Sequence, residues 1–145
     1  MPKIVPRDNP CYCINFRRAA NTLTKFYDRA FVSIGLTTNQ FSLLNDVKLI
    51  QPCNKSNLAQ FSRLDRTTII RSLSVLREKG LVEEAKRTDA RSKAICLTEA
   101  GETAISEGMA GWKQAQKRIR ALWGPENVQV LKQIFVDIET LDEDE

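Results

Sequence analysis

The pattern of apolar and polar positions is most informative in residues 57–101, and its first part predicts a helix-turn-helix. A short apolar helix is followed by Asp65, whose side chain suits the N-cap of a second helix. The apolar stripe of this second helix repeats at helical spacing and comprises Ile69, Leu73 and Leu76, widened by Ile70. Gly80 is a typical residue to end the helix, because glycine adopts the left-handed conformation without strain.

Two short strands are predicted directly after this helix, over residues 81–86 and 93–97. Between them lies a polar hairpin tip, residues 87–92, which contains two arginines. A basic β-hairpin beside a recognition helix is the arrangement of a winged helix-turn-helix. The predicted fold class is therefore mainly α with a small β-hairpin wing.

The side of the second helix opposite its apolar stripe indicates DNA binding. It presents hydroxyls, one guanidinium and a small apolar group, namely Thr67, Thr68, Arg71, Ser74 and Val75. Such side chains read base edges in the major groove. Residues 55–93 contain ten basic and five acidic residues, a net charge of +5, whereas residues 94–145 contain five basic and ten acidic residues, a net charge of −5. The positive charge thus coincides with the helix-turn-helix and wing, where phosphates would lie.

The composition excludes several function classes. The chain of 145 residues contains no histidine, which removes histidine-based triads, HExxH zinc sites and the most common general base. Glycine motifs for nucleotide phosphates are absent, and no apolar run approaches the roughly 18 residues of a transmembrane helix. The first ten residues do not read as a signal peptide. We therefore expect a soluble cytoplasmic protein that is not an enzyme and has no cofactor, and the sequence assigns no metal site.

A pattern in the predicted wing resembles the signature of the MarR family of bacterial winged-helix regulators. It comprises Asp89, Arg91, Leu97, Thr98 and Gly101. The segments LAQFSRLDRTTIIRSL and REKGLV are also similar to the helix-turn-helix and the helix-to-wing junction of that family. The resemblance covers about residues 11–141. One position departs from the pattern, because Arg63 stands where the turn often carries glycine, and we expect that turn to differ from the common form.

The resemblance implies a homodimer that binds a pseudo-palindrome in double-stranded DNA, with two recognition helices roughly 34 Å apart. The residues expected to contact DNA lie in the helix-turn-helix and the wing: Ser56, Asn57, Arg66, Thr67, Thr68, Arg71, Arg87, Asp89, Arg91 and Lys93. Within this set, Thr67, Thr68 and Arg71 are assigned to base readout. The phosphate contacts are assigned to Ser56, Asn57 and Arg66.

The segments at the two ends read as amphipathic helices without a core of their own. The predicted organisation is an N-terminal arm at 1–10, dimerisation helices at 11–34 and 99–145, and the winged helix-turn-helix at 35–98, all within a single compact domain. Docking the end helices of two copies would bury their apolar stripes, as the family resemblance also implies.

Local signals place the boundaries of these helices. A first helix is predicted without interruption over residues 11–33, and a capping box of Thr37 and Gln40 opens the second. Thr98 caps a long helix that reaches about residue 122, after which Gly124 and Pro125 restart the chain. Three glycines interrupt the long helix and allow a bend, a close helix approach or simply a weaker helix: Gly101, Gly108 and Gly111.

Two kinds of regulatory signal remain open. Cys11 and Cys13 lie at the start of the first helix, where redox sensing, thiolate metal binding and a structural role are all compatible with the sequence. Cys96, in a predicted strand, is expected to be a small core residue. The family resemblance implies instead a phenolic or aromatic carboxylate effector, which would bind in a pocket between the dimerisation helices and the winged helix-turn-helix (the winged unit, residues 35–98). The side chains proposed for that pocket are Arg17, Arg18, Tyr27 and Trp112.

We therefore expect a sequence-specific transcriptional regulator, a homodimeric repressor relieved by a small aromatic ligand or by thiol oxidation. The alternative is a winged-helix module that binds another protein without specific DNA recognition. Arg71, Arg91 and the positive charge of residues 55–93 argue against that alternative. A thiol enzyme ranks below both, because no histidine is present to activate a cysteine.

Overall fold

A computed structural model describes residues 9–86 and 93–142 of the chain. Its elements are α1 (Tyr12–Asp28), a 3-10 helix (Arg29–Ile34), α2 (Thr38–Ile50), α3 (Lys55–Ser62), α4 (Arg66–Glu78), β1 (Val82–Lys86), β2 (Lys93–Leu97), α5 (Glu99–Glu139) and a terminal 3-10 turn (Thr140–Asp142). This arrangement confirms the predicted class, mainly α with a two-stranded wing. None of the described helices is long and apolar enough to cross a membrane.

One core joins the helix-turn-helix, the wing and the first part of α5. Its largest fully buried side chains come from the first 3-10 helix, α2, α3, α4 and β2: Phe31, Leu43, Leu44, Val47, Leu58, Ile69, Leu76 and Ile95. The predicted inner face of α4 is confirmed, since Ile69, Leu73 and Leu76 are all buried. Ile70 was predicted to widen this buried stripe, and that prediction is wrong, because 45% of its surface is exposed.

The wing is an antiparallel hairpin fastened to the segment before α3. Val82 pairs with Leu97 at its base, and Lys86 pairs with Lys93 towards its tip. Cys53 exchanges two backbone hydrogen bonds with Ile95, at 3.2 and 2.7 Å, and so forms an isolated antiparallel β-bridge beside β2. The wing is therefore held against the start of α3 by backbone hydrogen bonds as well as by the core.

The first helix ends earlier than predicted. It stops at Asp28, and the chain continues as a tighter 3-10 helix to Gly35, which has a φ of 67°. The tighter winding places Phe31 in the core, stacked on Phe41 with ring centroids 4.3 Å apart. Asp28 holds the corner, because its carboxylate accepts hydrogen bonds of 2.7 Å from the backbone N–H and the hydroxyl of Thr38. Tertiary packing overrides the continuous helical pattern at this point.

The turn between α3 and α4 contains Arg63 in the left-handed conformation, with φ 53° and ψ 40°. We expected an arginine to change this turn, but it keeps the backbone conformation that glycine would supply. Its guanidinium donates a 2.7 Å hydrogen bond to Glu139 near the end of α5. The turn is thereby linked to the C-terminal part of the chain.

The three glycines at the start of α5 are sites of close approach. A Cβ on Gly101 would lie 2.1 Å from the carbonyl oxygen of Leu81, and a Cβ on Gly111 would lie 2.4 Å from that of Ala30. At Gly108 a Cβ would meet the ring of Phe41 at 2.3 Å. Of the alternatives that the sequence left open, the structure selects close packing.

The predicted boundaries of the last helix are confirmed at both ends of its first segment. The hydroxyl of Thr98 accepts a 3.0 Å hydrogen bond from the N–H of Gly101 and so caps α5. Gly124 interrupts the helix with φ 77° and ψ 161°, and the chain resumes a helical path at Pro125. The capping box of Thr37 and Gln40 at the start of α2 is also confirmed.

Candidate nucleic-acid interface

The N-terminus of α4 is held by Asp65, as the sequence predicted. Its carboxylate accepts a 3.0 Å hydrogen bond from the backbone N–H of Thr68 and a second, short one from the Thr68 hydroxyl. The hydrogen bond from the Thr68 side chain, followed by the one from its backbone, lowers the pKa of Asp65. An ionised cap therefore fixes the first turn of the helix at neutral pH.

The outward side of α4 combines polar and apolar groups. Thr67, Ile70 and Arg71 are exposed, and Ser74 is half-buried one turn further on. Thr68 differs from its neighbours, because it is half-buried and its hydroxyl hydrogen is already donated to Asp65. Of the three residues assigned to base readout, the structure leaves Thr67 and Arg71 free on the surface to reach a partner.

A hollow of about 390 Å³ lies where α3, α4 and the wing meet. We call it the basic hollow; its lining residues are Asn54, Lys55, Ser56, Arg66, Arg77, Glu84 and Lys93. Four of these seven side chains are cations, and Glu84 is the one anion. The hollow thus concentrates positive charge beside the exposed side of α4.

Glu84 lies between two of the cations that line the basic hollow. Its side chain is only 10% exposed, and its two carboxylate oxygens lie 3.8 Å from the Lys55 ammonium and 3.8 Å from the Arg77 guanidinium. A largely shielded carboxylate between two cations attracts both of them towards the hollow. Arg66 and Lys93 have exposed side chains on the same hollow.

The structure brings together only part of the predicted DNA-contact set. Ser56, Arg66 and Lys93 line the basic hollow, whereas Asn57 faces a neighbouring hollow of about 350 Å³ on the other side of α3. The wing-tip residues of the set lie outside the described residues: Arg87, Asp89 and Arg91.

Four lining residues of the hollow were not in the predicted DNA-contact set: Asn54, Lys55, Arg77 and Glu84. Lys55 stands next to the predicted Ser56 at the start of α3, so its proximity along the chain was an available signal. Glu84 carried no signal, because its partners come from two other elements.

A second cavity, of about 450 Å³, lies between α1, α2 and α5. We call it the inner cavity; it is lined by Tyr27, Phe31, Thr38, Phe41, Ser42, Asn45, Asp46, Met109, Trp112 and Gln116. Two of the four side chains proposed for an effector pocket, Tyr27 and Trp112, are therefore brought together here. The other two, Arg17 and Arg18, are exposed on α1 and do not line it.

Tyr27 is positioned by a hydrogen bond from its hydroxyl to the side-chain oxygen of Gln116. Burial raises the pKa of Tyr27, and the nearby Arg120 partly opposes that shift. The phenol is therefore protonated at neutral pH and acts as the donor to Gln116. Asp46 is the only charged residue among those that line the inner cavity.

The four cysteines occupy different environments. Cys11 is the N-cap of α1 and Cys13 lies in its first turn, and both are exposed. Cys53 is buried in the core, and Cys96 is half-buried rather than a full core residue. Within residues 9–86 and 93–142, no group of three or more Cys, Asp or Glu residues is arranged to hold a metal ion.

Comparison with known proteins identifies the family. A winged helix DNA-binding domain model matches residues 36–101. A solved MarR family transcription regulator, SP03579, shares the fold with a TM-score of 0.76 at 19% identity. The M. tuberculosis transcriptional regulator MosR superposes with a TM-score of 0.79 and 31% identity, over 93% of this chain and 97% of MosR. The chain belongs to the MarR family. The α4 face and the basic hollow are therefore parts of a MarR winged helix.

Two further comparisons concern this MarR chain. MosR in complex with DNA matches with 35% identity and a TM-score of 0.76, over 90% of this chain and 98% of MosR. An HTH-type transcriptional regulator of Bacillus cereus is 30% identical over 96 residues, which are 66% of this chain and 62% of that relative. The chain thus spans about three fifths of the length of the curated relatives that it matches.

Proposed function

We propose that this MarR chain is a sequence-specific DNA-binding transcriptional regulator that acts as a homodimer. The observation that carries the proposal is the basic hollow beside the exposed side of α4. A helix that enters the major groove needs cations at its flank for the phosphates and hydrogen-bonding groups at its front for the bases. Lys55 and Arg66 supply the first, and Thr67 and Arg71 supply the second.

The roles within this interface follow from exposure and existing bonds. Arg71 is exposed in the middle of α4 and suits bidentate donation to a guanine, which is worth roughly 1–3 kcal/mol of discrimination. Ser56, Arg66 and Lys93 suit phosphate oxygens at the hollow. Thr68 already donates its hydroxyl hydrogen to Asp65, so we assign it to holding the first turn. MosR, 35% identical, has been solved with DNA, which supports this use of the fold.

A homodimer accounts for the apolar surface of the end helices. No residue of α1 is buried, and eight large apolar residues at the two ends of the described chain are exposed: Tyr12, Phe16, Leu122, Val130, Phe135, Val136, Ile138 and Leu141. Hydrophobic surface of this extent marks a protein interface. Docking two copies through it would also place two α4 helices on one duplex.

Release from DNA is proposed to follow occupation of the inner cavity by a small aromatic molecule. The lining offers Tyr27, Phe41 and Trp112 as aromatic surfaces, with Ser42 and Asn45 as hydrogen-bonding groups. Since its one charged residue is an acid, this cavity favours a phenol over a carboxylate. A ligand here contacts α1, α2 and α5 together and can shift the angle between the winged unit and the dimer helices.

The exposed thiols of Cys11 and Cys13 supply the alternative signal, oxidation at the dimer-forming end of α1. Peroxide treatment of a DNA complex tests it. Loss of binding that reductant restores, and that Cys→Ser changes at both positions prevent, supports thiol sensing. Release by phenols in the double Ser variant, lost on Trp112→Ala, supports the inner cavity instead.

The proposed DNA function is tested by fluorescence anisotropy with the duplex upstream of the gene that encodes this chain and with sequences selected from a random duplex library. We expect tight, salt-dependent binding to a pseudo-palindromic sequence. Arg71→Ala should relax the base preference. Arg66→Gln should weaken binding to all duplexes and reduce the salt dependence, as loss of a phosphate contact does.

Lys113→Gln is the matched control, because it removes the same charge from an exposed site on α5, outside the basic hollow. It should leave both affinity and salt dependence close to those of the wild type. A chain that enriches no sequence, and whose weak binding is unaffected by Arg66→Gln and Arg71→Ala, would favour the protein-interaction module.

A further inference from the structure

Ile70 is the one large apolar side chain of α4 that is exposed. It is 45% exposed, although Ile69 and Leu73 of the same helix lie in the core. Several other large apolar residues of the described chain are more exposed, among them Val32 at 73% and Leu49 at 71%, but none of them belongs to α4. The significance of Ile70 therefore lies in its position on the proposed recognition helix.

The spacing along α4 places Ile70 within the DNA-facing side. Thr67, Ile70, Arg71 and Ser74 occupy positions i, i+3, i+4 and i+7, which are neighbours on one side of a helix. Their side chains present a hydroxyl, an aliphatic group, a guanidinium and a second hydroxyl in one contiguous patch. Because isoleucine is branched at Cβ, its χ1 angle is nearly fixed in a helix, so its γ-methyl group has a defined position before any contact forms.

Among the four bases, only thymine presents a methyl group in the major groove, and side chains recognise it by apolar contact. We propose that Ile70 reads the 5-methyl group of a thymine in each half of the operator, next to the base contacted by Arg71. This inference rests on the proposed DNA function. It assigns part of the sequence preference to an aliphatic contact that hydrogen-bonding residues cannot provide.

The test removes the methyl group from the DNA. After an operator has been selected from a random duplex library, each thymine is replaced in turn by deoxyuridine, which lacks only the 5-methyl group. At one position per half-site the wild-type affinity should fall about fourfold, the equivalent of roughly 0.8 kcal/mol for one buried methyl-sized group. Replacement in both halves together should lower it about sixteenfold.

The protein variants show whether Ile70 makes this contact. In Ile70→Ala the affinity for the thymine operator should be reduced, and replacement by deoxyuridine at the sensitive position should have no further effect. Ile70→Val keeps a branched side chain and should retain most of the discrimination. Leu49→Ala, an exposed aliphatic truncation outside α4, should discriminate as the wild type does.

Three outcomes would overturn the inference. The first is a selected operator on which no thymine-to-deoxyuridine change weakens the wild type. The second is discrimination that persists in Ile70→Ala. The third is failure to select any operator, which overturns the proposed DNA function itself and is thereby distinguished from the other two. The deoxyuridine scan on the wild type needs no variant, so it tests for the thymine contact even if Ile70→Ala does not fold. In that case Ile70→Val, which should reduce the deoxyuridine effect without abolishing it, tests whether Ile70 makes the contact.

Discussion

The two segments of α5 that meet at Gly124 differ in where their apolar residues go. The first segment buries six residues within the chain: Gly101, Ala104, Ile105, Gly108, Ala115 and Ile119. Two of them, Gly101 and Gly108, closely approach Leu81 and Phe41. In the second segment, after Pro125, no residue is buried. The first segment of α5 therefore contributes to the core of the chain, whereas the second segment leaves its apolar residues exposed.

The contrast separates two ways in which a sequence uses a helix. Small residues in the first segment let backbone and aromatic rings approach closely, so the winged unit has a rigid support. The second segment exposes Val130, Phe135 and Val136, which gain free energy only when another surface covers them. The first segment thus packs within the chain, and the second carries the exposed surface through which we propose that two copies associate.

The largest effect should come from adding a methyl group inside the closely packed segment. In Gly101→Ala the new Cβ would lie 2.1 Å from a backbone carbonyl, so we expect the free energy of unfolding to fall by about 3 kcal/mol. Alanine normally stabilises a helix relative to glycine by about 1 kcal/mol. A decrease in the stability of Gly101→Ala would therefore show by its sign alone that the added Cβ clashes. Urea denaturation at fixed protein concentration measures it.

Ser106→Ala is the control, because Ser106 is exposed on the same segment. It should leave the stability unchanged or raise it by up to about 0.5 kcal/mol. A Gly101→Ala protein as stable as the wild type would show that the close approach at Leu81 is not a real constraint.

A charge in the second segment should separate the two copies without unfolding either. Phe135→Glu removes an aromatic contact from both chains, which we expect to cost about 3 kcal/mol in total and to raise the dimer dissociation constant by at least about 100-fold. Sedimentation equilibrium should then give a mass near the 16.5 kDa of one chain at concentrations where the wild type is a dimer.

Gln129→Glu adds the same charge to an exposed polar position of the same segment and should remain dimeric. Circular dichroism should show native helix content for both variants. If Phe135→Glu dimerises as tightly as the wild type, the exposed apolar surface after Gly124 is not the association surface.

An intermediate effect is expected at the junction where α5 begins. The Thr98 hydroxyl accepts from the N–H of Gly101 at 3.0 Å and donates to the carbonyl of Gly80 at 2.6 Å. Thr98→Ala should therefore lower the free energy of unfolding by about 1 kcal/mol, the usual contribution of an N-cap. Thermal denaturation measures this loss. Thr103→Ala, at an exposed position inside α5, should change stability by less than about 0.5 kcal/mol.

The smallest effect concerns the ion pair that ties the second segment to the helix-turn-helix. Arg63 and Glu139 are both largely exposed, so Glu139→Gln should cost no more than about 0.5 kcal/mol. Arg63→Gly loses the same ion pair but suits the positive φ of 53°, so it should be at least as stable as Glu139→Gln. Thermal denaturation of the two variants compares their stabilities. If Arg63→Gly were less stable than Glu139→Gln, Arg63 would stabilise the turn by more than its ion pair with Glu139.

Features set by neighbours along the chain could be predicted from sequence. The caps at Thr37, Asp65 and Thr98 each bond to an N–H three residues away, so short patterns were sufficient to find them. The break at Gly124 was found for the same reason. The buried stripe of α4 followed from helical periodicity, apart from Ile70.

Features that depend on contacts between distant elements were missed or left open. The 3-10 helix after Asp28 places Phe31 against Phe41, a contact between two elements that periodicity alone does not reveal. The basic hollow joins α3, α4 and the wing, and Glu84 has no local pattern that marks it as part of the hollow. The inner cavity likewise combines residues of three helices, so the sequence could not reveal that Tyr27 and Trp112 line it together whereas Arg17 and Arg18 do not.

The central claim is that two copies, joined through their end helices, place two α4 helices on one duplex. The most direct measurement is a stoichiometric titration of a selected operator, with anisotropy recorded at a DNA concentration far above the dissociation constant. The account predicts a sharp break at two chains per duplex, and its loss in Phe135→Glu at the same concentrations. Full-affinity binding with a break at one chain per duplex would contradict it.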